Sequence, residues 1–592
     1  MDKLTKDIDF LFEASWEVCN KVGGIYTVVK SKAALMNENY SNYFLIGPYF
    51  PDKAKIETQQ IVPPEGFKQV FDDLEKQGIV CYYGKWLIEG QPKVILIDFK
   101  QFIKNKNDIK KWLWEAYRID SLFSHWDFEE PMVWAIAVAK LLEKLSAFYN
   151  GKKIVGHFHE WLAGFALLYL KSNNIPIKTV FTTHATMLGR AIAGSGINLY
   201  DILDTMNPDE MARQTGVMDK YSTEKACSLN ADIFTTVSET TAYEAEKILG
   251  RKAEVILANG LDLSKFMTFE ELSIKHREYR ERIRELISYF FFPYYGFDIE
   301  QTLNFFIVGR YEFKNKGIDV FIKALGKLNQ RLIAENSKKT IIAFFWVPSG
   351  TNGIKTELLE NEENYSKIVD FIDSNIDRIK RKLIYNVLSD QDKNKPNVFD
   401  SNYIFNIRKL MLRFKKNGNP LISTHHLFNE KDDIIIKSLI AEGLDNKSEN
   451  KVKVIFYPVY LSDNDGLLNL GYYNSILGSH LGIFPSYYEP WGYTPLESAA
   501  LGVPAITTDL SGFGKFLESK GLGNGGIFVL KRHKKPEQDI VSNLAEILYT
   551  YTKLRHDARV EQKLKAKEIS KLADWKMLIK NYFKAHSMAL HK

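Results

Sequence analysis

Short apolar runs of five to seven residues recur along this chain. Each is separated from the next by a stretch with helical spacing, and that alternation rules out most folds. DFLFEA (9–14), NYFLIG (42–47), KVILID (93–98), KIVGHF (153–158), KTVFTT (178–183) and DIFTTV (232–237) have the length and the β-branched and aromatic content of buried strands. MVWAIAVAKLLEKLSAFY (132–149) suits a helix packed between them. Such a series needs crossover connections, hence a parallel sheet with helices on both faces. The rhythm restarts at LNFFIVG (303–309) and continues through TIIAFFWV, KVIFYPV, LGIFPS and PAITT, with the basic helical stretch HREYRERIRELISYF (276–290) between the two series.

A chain of 592 residues is also too long for one core. The pattern therefore predicts two doubly wound α/β domains, 1–270 and 271–575, with 576–592 a C-terminal helix returning to the first. Between the strands near 340–347 and 452–458 the chain is far longer than a crossover needs. Ile368, Ile372, Ile376, Ile379 and Leu383 recur there at helical spacing. A helical insertion at about 350–450 is expected, its apolar stripe covering either the local core or another subunit.

The net charge of +6 is mild for this size and does not call for a nucleic-acid surface. The three cysteines are far apart and never form CxxC, so neither a disulfide framework nor a zinc site is expected. MDKLTKDIDF has no apolar signal core, and no apolar run is long enough for a membrane span. A cytoplasmic protein is expected.

Ligands of parallel sheets bind outside the carboxyl ends of the strands, and several unusual segments fall there. In NKVGGIYTVVK (20–30), Gly23 and Gly24 open a helix beside Lys21; a plain turn and a phosphate cradle both fit. GHFHEW (156–161) puts His157 and His159 on one strand face, but no third ligand is near in sequence, and no metal is expected. Glu160 beside Trp161 suits a polar cleft group contacting a sugar. FTTHATMLGR (181–190) ends a strand in His184, either a structural histidine or a cleft group, and carries Arg190 on the next turn. In GRYEFKNKG (309–317), Arg310 and Lys316 either converge on a diphosphate or form surface pairs, with Glu312 the available partner. YYEPWGYTPLESAALGVPAI (487–506) holds Glu489 and Glu497. Thr494 to Glu497 fits a capping box, which accounts for Glu497 without a ligand. Glu489 precedes Pro490, so it is extended and has no such role.

Taken in order, NKVGG, HFHEW, HATMLGR, GRYEFKNKG and the EX7E of YYEPWGYTPLE resemble the eukaryotic-type glycogen synthases. These are retaining glucosyltransferases of GT-B fold that use UDP-glucose. The likeness runs from about Phe10 to Trp575 and includes LIGPYFP, FTTVSETTAYEAE, ANGLDLSKF and LSGFGKFLE. It implies that Glu489, with Trp491 and Gly492, grips the transferred glucose, and that Arg190, Arg310 and Lys316 hold the diphosphate. By the same resemblance Lys21, Gly23, Gly24, His184 and Asn259 join the substrate site, and Thr494 faces the phosphates. Tyr472 stacks on uracil, Glu497 binds ribose, and Glu160 lies on the acceptor side. No cofactor or metal is implied; the partners are UDP-glucose and an α-1,4-glucan, with a homo-oligomer formed through the insertion. The rivals are a phosphorylase, which would need pyridoxal phosphate, and an inactive glucan-binding protein.

Animal and fungal enzymes of this type bind glucose 6-phosphate on an arginine-rich helix. The corresponding stretch, RHDARVEQKLKAKEISKLADWK (555–576), keeps Arg559, Lys563 and Lys565 but puts His556, Asp557 and Glu568 where arginines are expected. His276 and His480 complete the candidate site. Lysine lacks the planar fork of arginine and acids repel phosphate, so weak activation is expected. The short stretch after Trp575 leaves no room for a long phosphorylatable tail.

Overall fold

The structure, a computed structural model, describes residues 3–388 and 399–592 and builds them around two separate α/β sheets. The first has nine strands, in the order Thr58–Gln60, Val80–Trp86, Lys93–Asp98, Tyr43–Pro48, Phe10–Ala14, Ile154–His159, Lys178–Thr183, Ile233–Thr236 and Val255–Ile256. The second has seven: Val452–Tyr457, Thr340–Trp346, Thr302–Val308, Leu481–Ile483, Ala505–Thr508, Ile527–Leu530 and Asn524–Gly525. Each expected apolar run is a strand, and the central ones pair in parallel. Phe10–Ala14 and Ile154–His159 are buried along their whole length, which is why they read as continuous apolar runs rather than alternating ones. The pairing places Glu13 opposite His157.

Two features differ from the sequence reading. The first sheet closes with an antiparallel edge, Val80–Trp86 against Lys93–Asp98. Its segment VCYYGKW is only half-buried, so it lacks the apolar density that marks the inner strands. The insertion holds more than a helical pair. Helices Thr356–Leu388 and Ser401–Phe414 are joined by the short strands Thr351–Ile354 and His425–Leu427 and by helix Ile434–Ala441. At 1.5 Å per residue the 33-residue helix reaches about 50 Å. Its apolar stripe divides. Ile368 packs on the local core, whereas Ile376 and Leu383 are 50% and 45% exposed.

The last helix, Trp575–His591, lies on the first sheet rather than the second. Leu261 and Asp574 form an isolated bridge, with Leu261 N–H donating to Ala573 at 2.8 Å and Trp575 N–H donating to Leu261 at 3.0 Å. The Trp575 ring covers Gly260, where a Cβ would sit 2.7 Å from the ring, and its Nε1 donates to Ser31 Oγ at 2.7 Å. Tyr582, Phe583, His586 and Ala589 complete the buried face. Trp575→Ala is expected to cost about 3–5 kcal/mol locally. Hydrogen exchange over 575–591 should accelerate accordingly, and unchanged protection would show that Trp575 does not anchor the helix.

Candidate active site

The carboxyl ends of the two sheets meet at a cavity of about 440 Å³ whose walls include Arg190, Arg310, Glu312, Lys316, Tyr488 and Glu489. Residues distant in sequence, and on both sheets' loops, are thus brought together. Glu489 is extended and bridges to Ser511, its carbonyl accepting from Gly512 N–H at 3.0 Å. Gly512 is required there, since a Cβ would lie 2.1 Å from the Pro490 carbonyl oxygen and 2.6 Å from Ser238 of the facing domain.

Two of these cations are paired within the cleft. Lys316 Nζ is 2.5 Å from Glu489 Oε2, with both side chains less than a fifth exposed. Arg310 pairs with Glu312 at 2.9 Å and is 72% exposed, so the surface-pair reading of Arg310 describes this state. Arg190 has no ion-pair partner within 4 Å among the described residues and opens into the cleft. Crowding by the cleft walls opposes its charge, but Glu160, Tyr488, Glu224 and Glu312 outweigh that and push its pKa up.

Three buried carboxylates hold the HATMLGR segment from behind. Glu160 accepts from His184 N–H at 2.7 Å and Ala185 N–H at 3.3 Å. Glu224 accepts from Met187 N–H at 2.8 Å, and Glu244 from the Thr186 hydroxyl at 3.0 Å. Glu160 was expected on the cleft wall; instead it is 4% exposed, because its carboxylate is turned onto these amides. Its backbone takes φ +63°, a left-handed conformation costing about 1–3 kcal/mol in a non-glycine residue. Burial raises its pKa to about 7, against the opposing pull of Arg190 and the two amides. Glu244 and Glu224 escaped the sequence reading. The one signal for Glu244 was an acid interrupting the buried face of Thr241, Ala245 and Ile248 in TTAYEAEKIL. It also accepts from the hydroxyls of Tyr200 at 2.7 Å and Tyr488 at 3.3 Å, the latter carried on the opposite domain next to Glu489. Burial raises the Glu244 pKa to about 7 despite these three donors.

A second cavity, about 390 Å³, shares Arg310 and Tyr311 with the first and is lined by Trp346, Val459, Tyr472 and Thr494. Tyr472 and Tyr473 donate to Glu497 at 2.7 and 2.9 Å. The expected capping box at Thr494 does not form. Helix Tyr493–Ala500 begins two residues earlier, on Gly492 at φ +108°, so Glu497 lies too far into the helix to reach back and turns to the tyrosines. The genuine box is Thr268 with Glu271, at the start of helix Phe269–Phe291. Trp491 is buried against Phe513 and Phe516 with its Nε1 unpaired, and the buried Asn259 Oδ1 likewise lacks a partner among the described residues. At the Gly24–Asn39 helix the anion is the protein's own. Glu17, missed in the sequence, accepts from Gly23 and Tyr26 N–H at 2.7 and 2.9 Å, which narrows the phosphate-cradle reading of Gly23 and Gly24 to a protein-capped turn. Lys21 stands exposed beside it.

Tertiary structure does supply His157 and His159 with a third potential ligand, Glu13, the one such trio among the described residues. Lys32 Nζ, however, is 2.5 Å from the same Glu13 oxygen that His159 Nε2 approaches at 2.6 Å. An ammonium thus takes the place of a metal cation.

On the far side of the second sheet His276, His480, Arg559 and Lys563 gather with Arg280, which the sequence reading missed. Burial, then Arg280 and Arg559, lowers the Lys563 pKa to about 7. Lys565 is not in this cluster; it is exposed and paired with Glu561 at 2.7 Å. The acids expected to repel phosphate also lie elsewhere, Asp557 pairing with Arg555 and Glu568 with Lys571, because the helix turns them to solvent.

A sequence profile described as glycogen synthase matches residues 13–592. The chain is 36% identical to the Neurospora crassa glycogen [starch] synthase, covering 98% of this chain and 84% of that one. It is also 36% identical to the human liver glycogen [starch] synthase, covering 98% and 83%, and to the Saccharomyces cerevisiae isoform 2, covering 98% and 86%. The catalytic domain of Arabidopsis thaliana starch synthase IV, solved with ADP and acarbose, superposes with a TM-score of 0.52 at 13% identity over 99% of this chain and all of that one. That likeness establishes the fold, two Rossmann-like domains facing a cleft.

A carboxyl group whose pKa is raised by folding favours the native state at low pH, and that contribution disappears as pH rises through the folded value. For Glu244 the window runs from the ordinary glutamate range up to about pH 7. Glu244→Gln should therefore flatten the fall in melting temperature between pH 5 and 8. Parallel melting curves for both proteins would overturn the assignment.

Proposed function

The chain belongs to the glycogen synthase family, and from this membership and the cleft geometry we propose how it performs glucosyl transfer for glycogen synthesis. The donor is UDP-glucose, the acceptor is the non-reducing 4-hydroxyl of an α-1,4-glucan, and the configuration is retained. The observation that carries this reading is the sharing of Arg310 and Tyr311 by the two cavities. The nucleoside fits the inner one, with Tyr472 against the base and Glu497 near the ribose. The diphosphate then lies at the common wall, and the glucose reaches Glu489.

The Lys316–Glu489 pair supplies the logic of donor recognition. Diphosphate competes for Lys316, and the sugar hydroxyls replace the ammonium on Glu489. An intact nucleotide sugar satisfies both groups at once, whereas a bare sugar on Glu489 leaves the Lys316 charge unpaired, which is costly. As the glycosidic bond breaks, negative charge grows on the departing diphosphate, where Arg190, Arg310 and Lys316 converge from two domains. Exclusion of water between the closed walls suppresses hydrolysis. The acceptor approaches from the side of Glu160 and His184. The proposed units are 1–270 and 271–575. The exposed half of the insertion's apolar stripe supports a homo-oligomer, and the unpaired cysteines suit a cytoplasmic setting.

Glu489→Gln keeps the shape but loses both the ion pair and the sugar contact, so turnover should fall about 10²-fold or more. It also frees Lys316, so calorimetric affinity for UDP should stay equal or tighten, while Arg310→Ala and Lys316→Ala each weaken it. Equal UDP affinity in all three variants would mean that the diphosphate is held elsewhere.

The cationic cluster of His276, Arg280, His480, Arg559 and Lys563 is proposed as the effector site for glucose 6-phosphate. With the acids turned away, repulsion no longer argues for weak binding. Phosphate needs Lys563 charged, so affinity should decline as pH rises through about 7. Stability should run the other way, increasing from about pH 7 towards the ordinary lysine range, since a depressed lysine pKa disfavours the folded state while charged. Lys563→Met should remove the decline in affinity above about pH 7. A binding curve independent of pH in the unsubstituted protein would remove Lys563 from the site.

A further inference from the structure

Behind His184 runs a line of hydrogen bonds that ends on a buried charge. His184 Nε2 is 2.9 Å from His159 Nδ1, and His159 Nε2 is 2.6 Å from Glu13 Oε1. All three residues are buried. Glu13 also accepts from Lys32 Nζ at 2.5 Å on Oε1 and from the Tyr43 hydroxyl at 2.5 Å on Oε2. Each bond in this line needs one donor and one acceptor, so whatever fixes its inner end fixes its outer end.

The inner end is a carboxylate. Burial opposes its charge, but Lys32, His159 and His157 outweigh burial and hold the Glu13 pKa well below the usual range. An ionised carboxyl group only accepts, so His159 Nε2 must carry a proton. Burial lowers the pKa of both His159 and His184, so each ring is neutral and has one N–H. His159 Nδ1 is therefore a lone pair, and His184 Nε2–H donates to it. The remaining nitrogen, His184 Nδ1, is left without a proton, and none of the hydrogen bonds among the described residues reaches it.

A neighbouring line is ordered from a backbone carbonyl instead. His157 Nε2 meets the Thr182 hydroxyl at 2.7 Å, His157 Nδ1 meets His586 Nε2 at 3.0 Å, and His586 Nδ1 meets the Tyr40 hydroxyl at 2.7 Å. The Thr182 hydroxyl also meets Thr235 Oγ1 at 2.6 Å, and Thr235 donates to the Phe181 carbonyl at 3.0 Å, so Thr182 donates to Thr235 and accepts from His157 Nε2–H. The line through Glu13 is the one that reaches the HATMLGR turn, where the His184 amide is already tied to Glu160 at 2.7 Å.

We propose that Glu13 is a positioning residue for the transfer reaction: through His159 it fixes His184 in the Nε2–H tautomer, so that Nδ1 serves only as an acceptor for a sugar hydroxyl. The consequence for turnover rests on the glucosyl-transfer reading of the cleft; the tautomer does not. A histidine free to exchange tautomers would present an N–H to the same hydroxyl part of the time and reverse the direction of that bond.

The test is nitrogen NMR of the full chain labelled with ¹⁵N-histidine, recorded near neutral pH without substrate. His159 and His184 should both show a protonated Nε2 and a bare Nδ1. Glu13→Gln combined with Lys32→Met removes both buried charges together and leaves a carboxamide that donates as well as accepts. In that variant the His184 signal should shift towards the other tautomer, and kcat should fall about tenfold with the donor KM changed less than about threefold. Tyr43→Phe keeps the carboxylate and should retain the native tautomer and kcat within about twofold. A protonated Nδ1 on His184 in the unsubstituted protein or in Tyr43→Phe overturns the proposal, and that reading stands even if the double variant fails to fold. A double variant that keeps the native tautomer while losing activity also overturns it. Because the spectrum involves no donor or acceptor, failure of the transfer reading would leave the tautomer result intact and be recognised separately.

Discussion

Two sheets turn the carboxyl ends of their strands towards one cleft, and most of the cations that gather there are balanced by neighbouring carboxylates. The structure does this locally and reversibly. Lys316 rests on Glu489 and Arg310 on Glu312, while Arg190 faces the cleft with carboxylates behind it rather than against it. Pairs of this kind preserve the site electrostatically without filling it.

The rigidity needed to keep Arg190 unpaired comes from beneath. Glu160, Glu224 and Glu244 fasten consecutive groups of the HATMLGR turn, each through a bond to a backbone amide or a hydroxyl. Buried polar groups so completely engaged specify one arrangement, because any alternative leaves a donor or acceptor unsatisfied. Glu244 extends the scheme across the cleft by meeting Tyr488, and Tyr200 N–H donates to the Tyr487 hydroxyl at 3.0 Å. The residue pair preceding Glu489 is thereby held by the opposite domain.

The cationic cluster is connected to the same machinery. Its helix, His556–Ser570, packs against helix Tyr493–Ala500, and Lys567 Nζ donates to the Ala500 carbonyl at 2.6 Å. The Tyr493–Ala500 helix carries Glu497 and follows directly on Trp491 and Gly492. Beyond Ser570 the chain continues into the helix that Trp575 fixes to the first sheet. The helix carrying these cations thus packs on the element that holds Glu497 and continues into the domain of the first sheet.

The sequence by itself determined the two α/β sheets and their inner strands, because strands buried on both faces need unbroken apolar runs that nothing else in the chain imitates. It also contained the positions of Arg190, Arg310, Lys316 and Glu489, since each stands at the end of such a run, in a segment rich in glycine, proline or charge. Tertiary structure alone decided the partners. The antiparallel edge strand was illegible because half-burial dilutes its apolar signal. The capping box at Thr494 failed because Gly492, free to take φ +108°, starts the helix two residues sooner. Glu13, Glu17, Glu224, Glu244 and Arg280 could not be assigned from the chain, since local pattern does not say what a charged residue faces. What gives each of them a role is a contact made across sheet neighbours or between domains, at sequence separations where local pattern carries no information.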